Sequence, residues 1–309
     1  MSDEHLQADR GRALRIPLFA GADSSLKLDR LGGLTNRNYR IDWRGKSYVL
    51  RVPGEGTAEY IDRKSEAQNA RIASDAAVNA PLVAFDASDG VMVTEFIDGA
   101  LTMNGTLFKA KGRPARAAIA LHRMHDFPEP FVSRFDLFGQ MDSYLDLLRR
   151  KQATIPDGYE AVQKEAEQIR AALDARLVKP VPCHCDPLAE NFLDTGDRMW
   201  VVDWEYAGNN DPMWDLGDVS VEAEFDESQD AEMMEAYFSG RPPADQYGRM
   251  VMYKALCDLL WTLWGVIQHA NQNPVDDFWA YATNRFERCQ RLMGHRDFGR
   301  HLDAVKRGR

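Results

Sequence analysis

The chain changes character once, at Asp98-Gly99, and that change limits the folds open to it. Before it the sequence runs in short stretches with the period-2 alternation of β-strands. Asn38 to Arg44 alternates, Gly45-Lys46 supplies a turn, and Tyr48 to Val52 returns as a second strand. Asp62 to Ser74 has the Ala, Arg, Glu and Gln content of a helix. Leu82 to Asp86 and Val91 to Ile97 make two further strands about an Asp89-Gly90 turn. After the change, Pro114 to Asp126 and Met141 to Leu177 read as helices, the second broken at Pro156-Asp157-Gly158. Val181 to Val202 holds two short strands around a loop, and the pattern is helical again from Asp230. Strands followed by helices predict an α+β fold in two lobes. The first, residues 1–97, is a small antiparallel β lobe with one helix; the second, residues 98–309, is larger and mainly α-helical.

Charge narrows the partners. The 309 residues carry 48 acidic and 38 basic side chains, a net charge of -10. Nucleic-acid binding draws its affinity from phosphate neutralisation, so it is disfavoured, whereas a small cationic ligand suits the balance. Between Arg198 and Arg241 there is no Lys or Arg, while Asp203, Glu205, Asp211, Asp215, Asp218 and Glu222 recur. Such a field would draw a cation in. The four cysteines, at 183, 185, 257 and 289, form no repeated framework, which points to a reducing, cytoplasmic setting. The opening MSDEHLQADRGR lacks the apolar core of a signal peptide, and the run Leu259 to Ile267 is too short to span a bilayer. A soluble protein without membrane insertion is expected, and no pattern specifies an oligomeric state.

Three stretches carry chemistry. Leu31-Gly32-Gly33-Leu34-Thr35-Asn36-Arg37-Asn38 is either a plain turn or a loop whose glycines let backbone approach a phosphate. Arg51 lies in an otherwise apolar strand, so it is either an edge residue or a buried cation needing a partner, for which Glu66 is available. The third is VPCHCDPLAENFL, residues 181–193. Cys183, His184 and Cys185 could suggest a soft metal, but no second Cys or His pair completes four zinc ligands. Alternatively Asp186 and Asn191 are the working residues of the loop, and Asn191 with Asp203, which ends the apolar strand Met199 to Val202, supplies hard oxygen donors for magnesium. Farther on, Trp261 and Trp264 share a helical face, either as core or as an aromatic wall for a cation.

The pattern His184-x-Asp186-x(4)-Asn191 has the spacing of the kinase catalytic loop. GGLTNRNYRI, YVLRVPG, VMVTEFIDG, CHCDPLAENFL, VVDWEYAGNNDPMWDLGD and DLLWTLWG, in that order, resemble the choline/ethanolamine kinase family within the aminoglycoside-phosphotransferase-like, protein-kinase-like fold. The resemblance implies an ATP- and Mg²⁺-dependent kinase for choline or a related amino alcohol. It makes Asp186 the catalytic base and Asn191 and Asp203 the magnesium ligands. Gly32, Gly33, Thr35, Asn36 and Asn38 would form the phosphate loop, and Arg51 with Glu66 the cation–glutamate pair. Glu95, Phe96 and Ile97 would be the adenine hinge. Glu205, Tyr206, Trp261, Trp264 and Tyr281 would surround the acceptor, while Val275 and Asp276 depart from the family's usual acidic and aromatic pair. His184 and Asp215 are expected to brace the loop rather than react. Rival readings are a kinase for an aminoglycoside, thiamine or ethanolamine, and a non-catalytic nucleotide-binding regulator.

Overall fold

A computed structural model describes residues 3–33, 36–54, 56–57 and 61–308. The first lobe runs α1 (Asp3–Leu14), β1 (Asp29–Arg30), β2 (Arg37–Trp43), β3 (Lys46–Val52), α2 (Arg63–Asp75), β4 (Leu82–Asp86) and β5 (Val91–Glu95). Its strands form one antiparallel sheet in the order β1-β2-β3-β5-β4. Arg44 and Gly45 take φ of 50° and 78°, the double positive φ of a two-residue hairpin turn, which closes the Trp43↔Lys46 pair.

Alternation in β3 then divides labour. Tyr48, Leu50 and Val52 enter the lobe's apolar core, while Val49 and Arg51 face the cleft beneath the sheet. In α2, capped by Asp62 accepting from Lys64 N at 3.0 Å, the buried stripe is Glu66, Asn69, Ala70, Ile72 and Ala73. Glu66 sits on a stripe that should be apolar, and that carries its carboxylate inward.

The lobe has a helix more than expected. Helix α1 is polar and has almost no apolar stripe, so periodicity gives no sign of it. Beside Ala13, Leu6 and Leu14 on the lobe's core, a buried carboxylate ties it down: Asp9 accepts from Arg37 Nε at 2.7 Å and from the Tyr39 hydroxyl at 2.8 Å.

The second lobe continues with β6 (Leu101–Thr102), α3 (Gly105–Phe108), α4 (Arg113–His125), α5 (Leu137–Arg150), α6 (Tyr159–Asp174), β7 (Val181–Cys183), β8 (Phe192–Asp194), β9 (Met199–Val201) and β10 (Gly208–Asn210). Then come α7 (Pro212–Glu222), α8 (Glu227–Tyr237), α9 (Ala244–Ala270), α10 (Phe278–Met293) and α11 (Phe298–Arg307). Two small sheets, β6-β8-β9 and β10-β7, flank the loop between β7 and β8. Helix resumes at Pro212, ahead of the expected Asp230, because Asp211 caps α7 by accepting from Met213 N at 3.0 Å.

Helix α9 is the spine of this lobe. Its most apolar window has a mean hydropathy of 1.4, and its 27 residues are long enough to cross a membrane, yet 94% of that window is buried by its own fold. It is a core helix, and a much longer apolar element than the run Leu259 to Ile267. At Gly265 a β-carbon would stand 2.7 Å from the Tyr281 ring, so α10 packs closely here only because the position is glycine.

Candidate active site

Between the lobes lies a cleft of about 790 Å³. Its floor is the loop from β7 to β8. There Cys185 is held at φ 67°, and after β9 Asp203 is held at φ 69°, a left-handed backbone that is costly for non-glycine residues. The restraint comes from α7. Asp215 accepts the backbone N–H of His184 at 2.7 Å and of Cys185 at 2.9 Å, and the Trp214 indole donates to Cys185 O at 3.1 Å. His125 reaches the same carboxylate at 3.0 Å.

His184 joins the loop to the segment after β9 that leads to Asp203. Its Nε2 donates to Val202 O at 2.9 Å and its Nδ1 accepts from Asp186 N at 3.3 Å. Only a neutral imidazole can do both, and burial lowers its pKa accordingly, against the opposing charge of Asp215. The ring is spent as a brace.

The Asp186 side chain takes no part in that bracing and lies on the cleft floor. Burial raises its pKa well above the ordinary carboxylate value, and the charges of Asp218, Glu222, Asp203 and Glu205 add to the shift. A carboxylate so adjusted takes up a proton more readily than an ordinary one, as a general base must. Asn191 donates its amide N–H to Asp186 O at 3.1 Å, which leaves Oδ1 as the end for a hard cation.

The opposite wall is built from arginines and carboxylates. Arg51 is buried and pairs with Glu66 and, at 2.7 Å, with Asp203. Burial opposes its charge, but Glu66, Asp203 and Glu205 more than restore it. Asn36 donates to Asp203 at 3.0 Å and accepts from Gly54 N at 3.1 Å, tying the glycine loop to the segment after β9. Gly33, at φ 139°, leaves room for that tie, since a β-carbon there would fall 2.3 Å from Asn36 O.

Glu205 lies 3.2 Å from Arg63 and 3.8 Å from Arg51, so it joins this cluster rather than the aromatic wall. Its pKa is pushed up to about 7 by burial and by Asp203, against the two arginines. Carboxylate oxygens of Glu66, Asp203 and Glu205 come within 4.8 Å of one another. Glu66 and Glu205 are held by Arg51 and Arg63, so the oxygens of Asp203 and of Asn191, which lines the same cleft, are the hard donors that suit magnesium.

The buried cysteines do something else. The Cys183 thiol faces Asn210 O at 3.6 Å and that of Cys185 faces Gly208 O at 3.7 Å, and burial pushes both pKa values well up. His125, Cys183 and Asp215 also come within 4.8 Å, but both His125 nitrogens and both Asp215 oxygens are already engaged.

Toward the helical side the cleft turns aromatic. Tyr206 meets Trp261 edge-on at 5.4 Å, and Trp264 meets Tyr281 at 5.7 Å. Sequence reasoning overlooked Arg285, one turn after Tyr281, whose guanidinium lies 4.5 Å from that ring and covers one of its faces. Arg285 also binds Glu222 at 2.7 Å and Asp258 at 3.4 Å. Behind the wall Asp218 is buried, its pKa raised by burial and Glu222 against Arg285. The i, i+4 spacing of Tyr281 and Arg285 was the only sequence signal for the stacking.

Gly32, Asn38, Glu95, Phe96 and Ile97, expected to hold the nucleotide, line the same cleft, with Val49 and Leu193 among its aliphatic walls. Thr35 lies outside the described residues. Val275 reaches the rim and is exposed.

Comparison with known proteins follows the same lines. A profile of the phosphotransferase enzyme family matches residues 29–247. A choline/ethanolamine kinase family protein from Mesorhizobium loti is 50% identical and superposes with a TM-score of 0.88, over 98% of this chain and 100% of that one. Choline kinase LicA from Streptococcus pneumoniae is 28% identical, with a TM-score of 0.78 over 94% and 99% of the two chains. A LicA solved in complex with AMP is 26% identical, with a TM-score of 0.76 over 97% and 99%.

Proposed function

The chain belongs to the phosphotransferase enzyme family and, within it, to the choline/ethanolamine kinase family, and on that footing we propose that it transfers the γ-phosphoryl group of ATP to the hydroxyl of choline or a related amino alcohol. The enzyme is a phosphotransferase with an alcohol group as acceptor. One observation carries the finer reading: Asp186 lines the cleft between the arginine–carboxylate cluster and the aromatic wall. Its carboxylate is the group available to orient an acceptor hydroxyl and take its proton as the oxygen–phosphorus bond forms and the bond to the leaving diphosphate breaks.

Arg51, fixed by Glu66, would position the donor phosphates. Asn191 and Asp203 would hold magnesium, which when bound neutralises charge on the phosphate oxygens. Tyr206, Trp261 and Trp264 offer aromatic surface to a cation that has no N–H to donate, worth about 2 kcal/mol once desolvated. AMP in the LicA relative supports nucleotide as the donor. The four unpaired, buried cysteines favour a reducing, cytoplasmic setting.

A second reading rests on Glu222, which lines the acceptor side and can accept N–H bonds. That favours a primary ammonium such as ethanolamine as an additional acceptor. The test is ATP turnover with choline, ethanolamine, thiamine and an aminoglycoside in parallel. Turnover with choline or ethanolamine well above the others is expected. A preference for the aminoglycoside, or ADP release indifferent to every acceptor, would sink the reading.

A further inference from the structure

Asn79 lies between α2 and β4 and is 1% exposed. Its backbone N–H donates to Ala73 O at 3.0 Å, and the preceding carbonyl, Val78 O, accepts from Val201 N at 3.0 Å. The backbone is thus pinned from α2 on one side and from β9 on the other. The side chain divides unequally. Its Nδ2 donates to Ala70 O at 3.4 Å, and since a carbonyl can only accept, this fixes which way the amide points. Oδ1 is buried and has no hydrogen-bond partner among the described residues.

An acceptor left unsatisfied in a closed wall is costly, so a donor is wanted there. Asn79 lines the cleft beside Ala80, Met92 and Thr94. Two residues on, Pro81 O accepts from Glu95 N at 2.9 Å, at the start of the hinge. Asn79 therefore belongs to the stretch of wall that runs into the hinge, in the same cleft to which Val49 and Leu193 give aliphatic faces for a ring.

We propose that Asn79 is a specificity-determining residue: its Oδ1 accepts from the exocyclic amine of adenine and so selects ATP over GTP, whose base carries a carbonyl at the corresponding edge. Two acceptors facing each other repel, whereas an amine meets the unsatisfied oxygen. The inference rests on reading the cleft as a nucleotide site and adds to it how the base is chosen.

Calorimetric affinities for ATP, GTP and purine riboside triphosphate, which lacks the amine, test this on wild type and Asn79→Leu without any acceptor present. Wild type should bind ATP about tenfold more tightly than the other two, and Asn79→Leu should lose that advantage while binding purine riboside triphosphate as before. An equal loss for every nucleotide would mean that Asn79 only supports the fold, and unchanged ATP affinity would mean that Oδ1 is satisfied by water; either overturns the inference. If Asn79→Leu does not fold, Asn79→Ala carries the same comparison. Wild type binding no nucleotide would overturn the functional reading along with this one, a failure distinct from unchanged discrimination.

Discussion

Asp215 Oδ1 accepts the backbone N–H of Cys185 at 2.9 Å, and the next residue in the chain is Asp186. The other oxygen accepts His184 N at 2.7 Å, so one carboxylate on α7 fixes two successive amides of the loop. In Asp215→Asn, one of those amides faces an N–H group instead of an acceptor. The expected loss is about 2–3 kcal/mol of stability in urea unfolding, because hydrogen bonds to a buried charge are involved. With it, kcat should fall at least about tenfold while nucleotide affinity is kept, since a small displacement of a positioned base is enough to slow chemistry. A folded variant with unchanged kcat would mean that the loop holds its shape without Asp215.

The pH profile should report Asp186. Burial and the charges of Asp218 and Glu222 raise its pKa, and as the proposed base it works only when deprotonated. Activity is therefore lost as pH falls through a value above the ordinary carboxylate pKa of about 4. Glu222→Gln removes one of the charges and leaves Arg285 less compensated, so the acid limb of kcat/KM should move to lower pH. A limb that stays in place, or moves the other way, would point to a different titrating group.

Trp264 is 8% exposed and faces Tyr281 across the acceptor side. Truncation to alanine removes a cation–π face worth about 2 kcal/mol, so KM for choline should rise about thirtyfold. Affinity for ATP, measured separately, should not change. If choline KM is unaltered, the aromatic wall is core packing and the ammonium lies elsewhere.

Stability against acid should depend on Asp9. Burial alone would raise its pKa, but hydrogen bonds from Arg37 and Tyr39 and the charges of Arg37 and Arg12 bring it below the ordinary value. A folded-state pKa that is depressed gives stability present above the unfolded value of about 3.9 and lost as pH falls through the folded one. Asp9→Asn should be less stable than wild type at neutral pH, and the gap should close below about pH 4. A gap constant with pH would mean that α1 is held by packing instead.

How much of this was legible in the sequence depends on how local each cause is. The alternation of Tyr48, Leu50 and Val52 with Val49 and Arg51 was readable because strand faces have a period of two. The spacing of His184, Asp186, Asn191 and Asp203 was readable because the loop and the following strand form one continuous segment. Helix α1 was not, because it has almost no apolar stripe and Asp9 finds its partners, Arg37 and Tyr39, on a distant strand. Glu205 was assigned to the acceptor side because nothing local shows Arg63 reaching it from α2. Arg285 and Asn79 were hidden for a related reason: each acquires its place only when a helix or loop from elsewhere closes the cleft.

Phosphorus NMR of ATP, magnesium and choline with the wild-type enzyme, beside the same mixture with Asp186→Asn, tests the assignment most directly. A phosphocholine resonance growing in step with ADP in the wild type, and absent with the variant although it still binds ATP, is the result expected. Undiminished phosphocholine from Asp186→Asn, or ADP released by the wild type with neither choline nor ethanolamine phosphorylated, would contradict it.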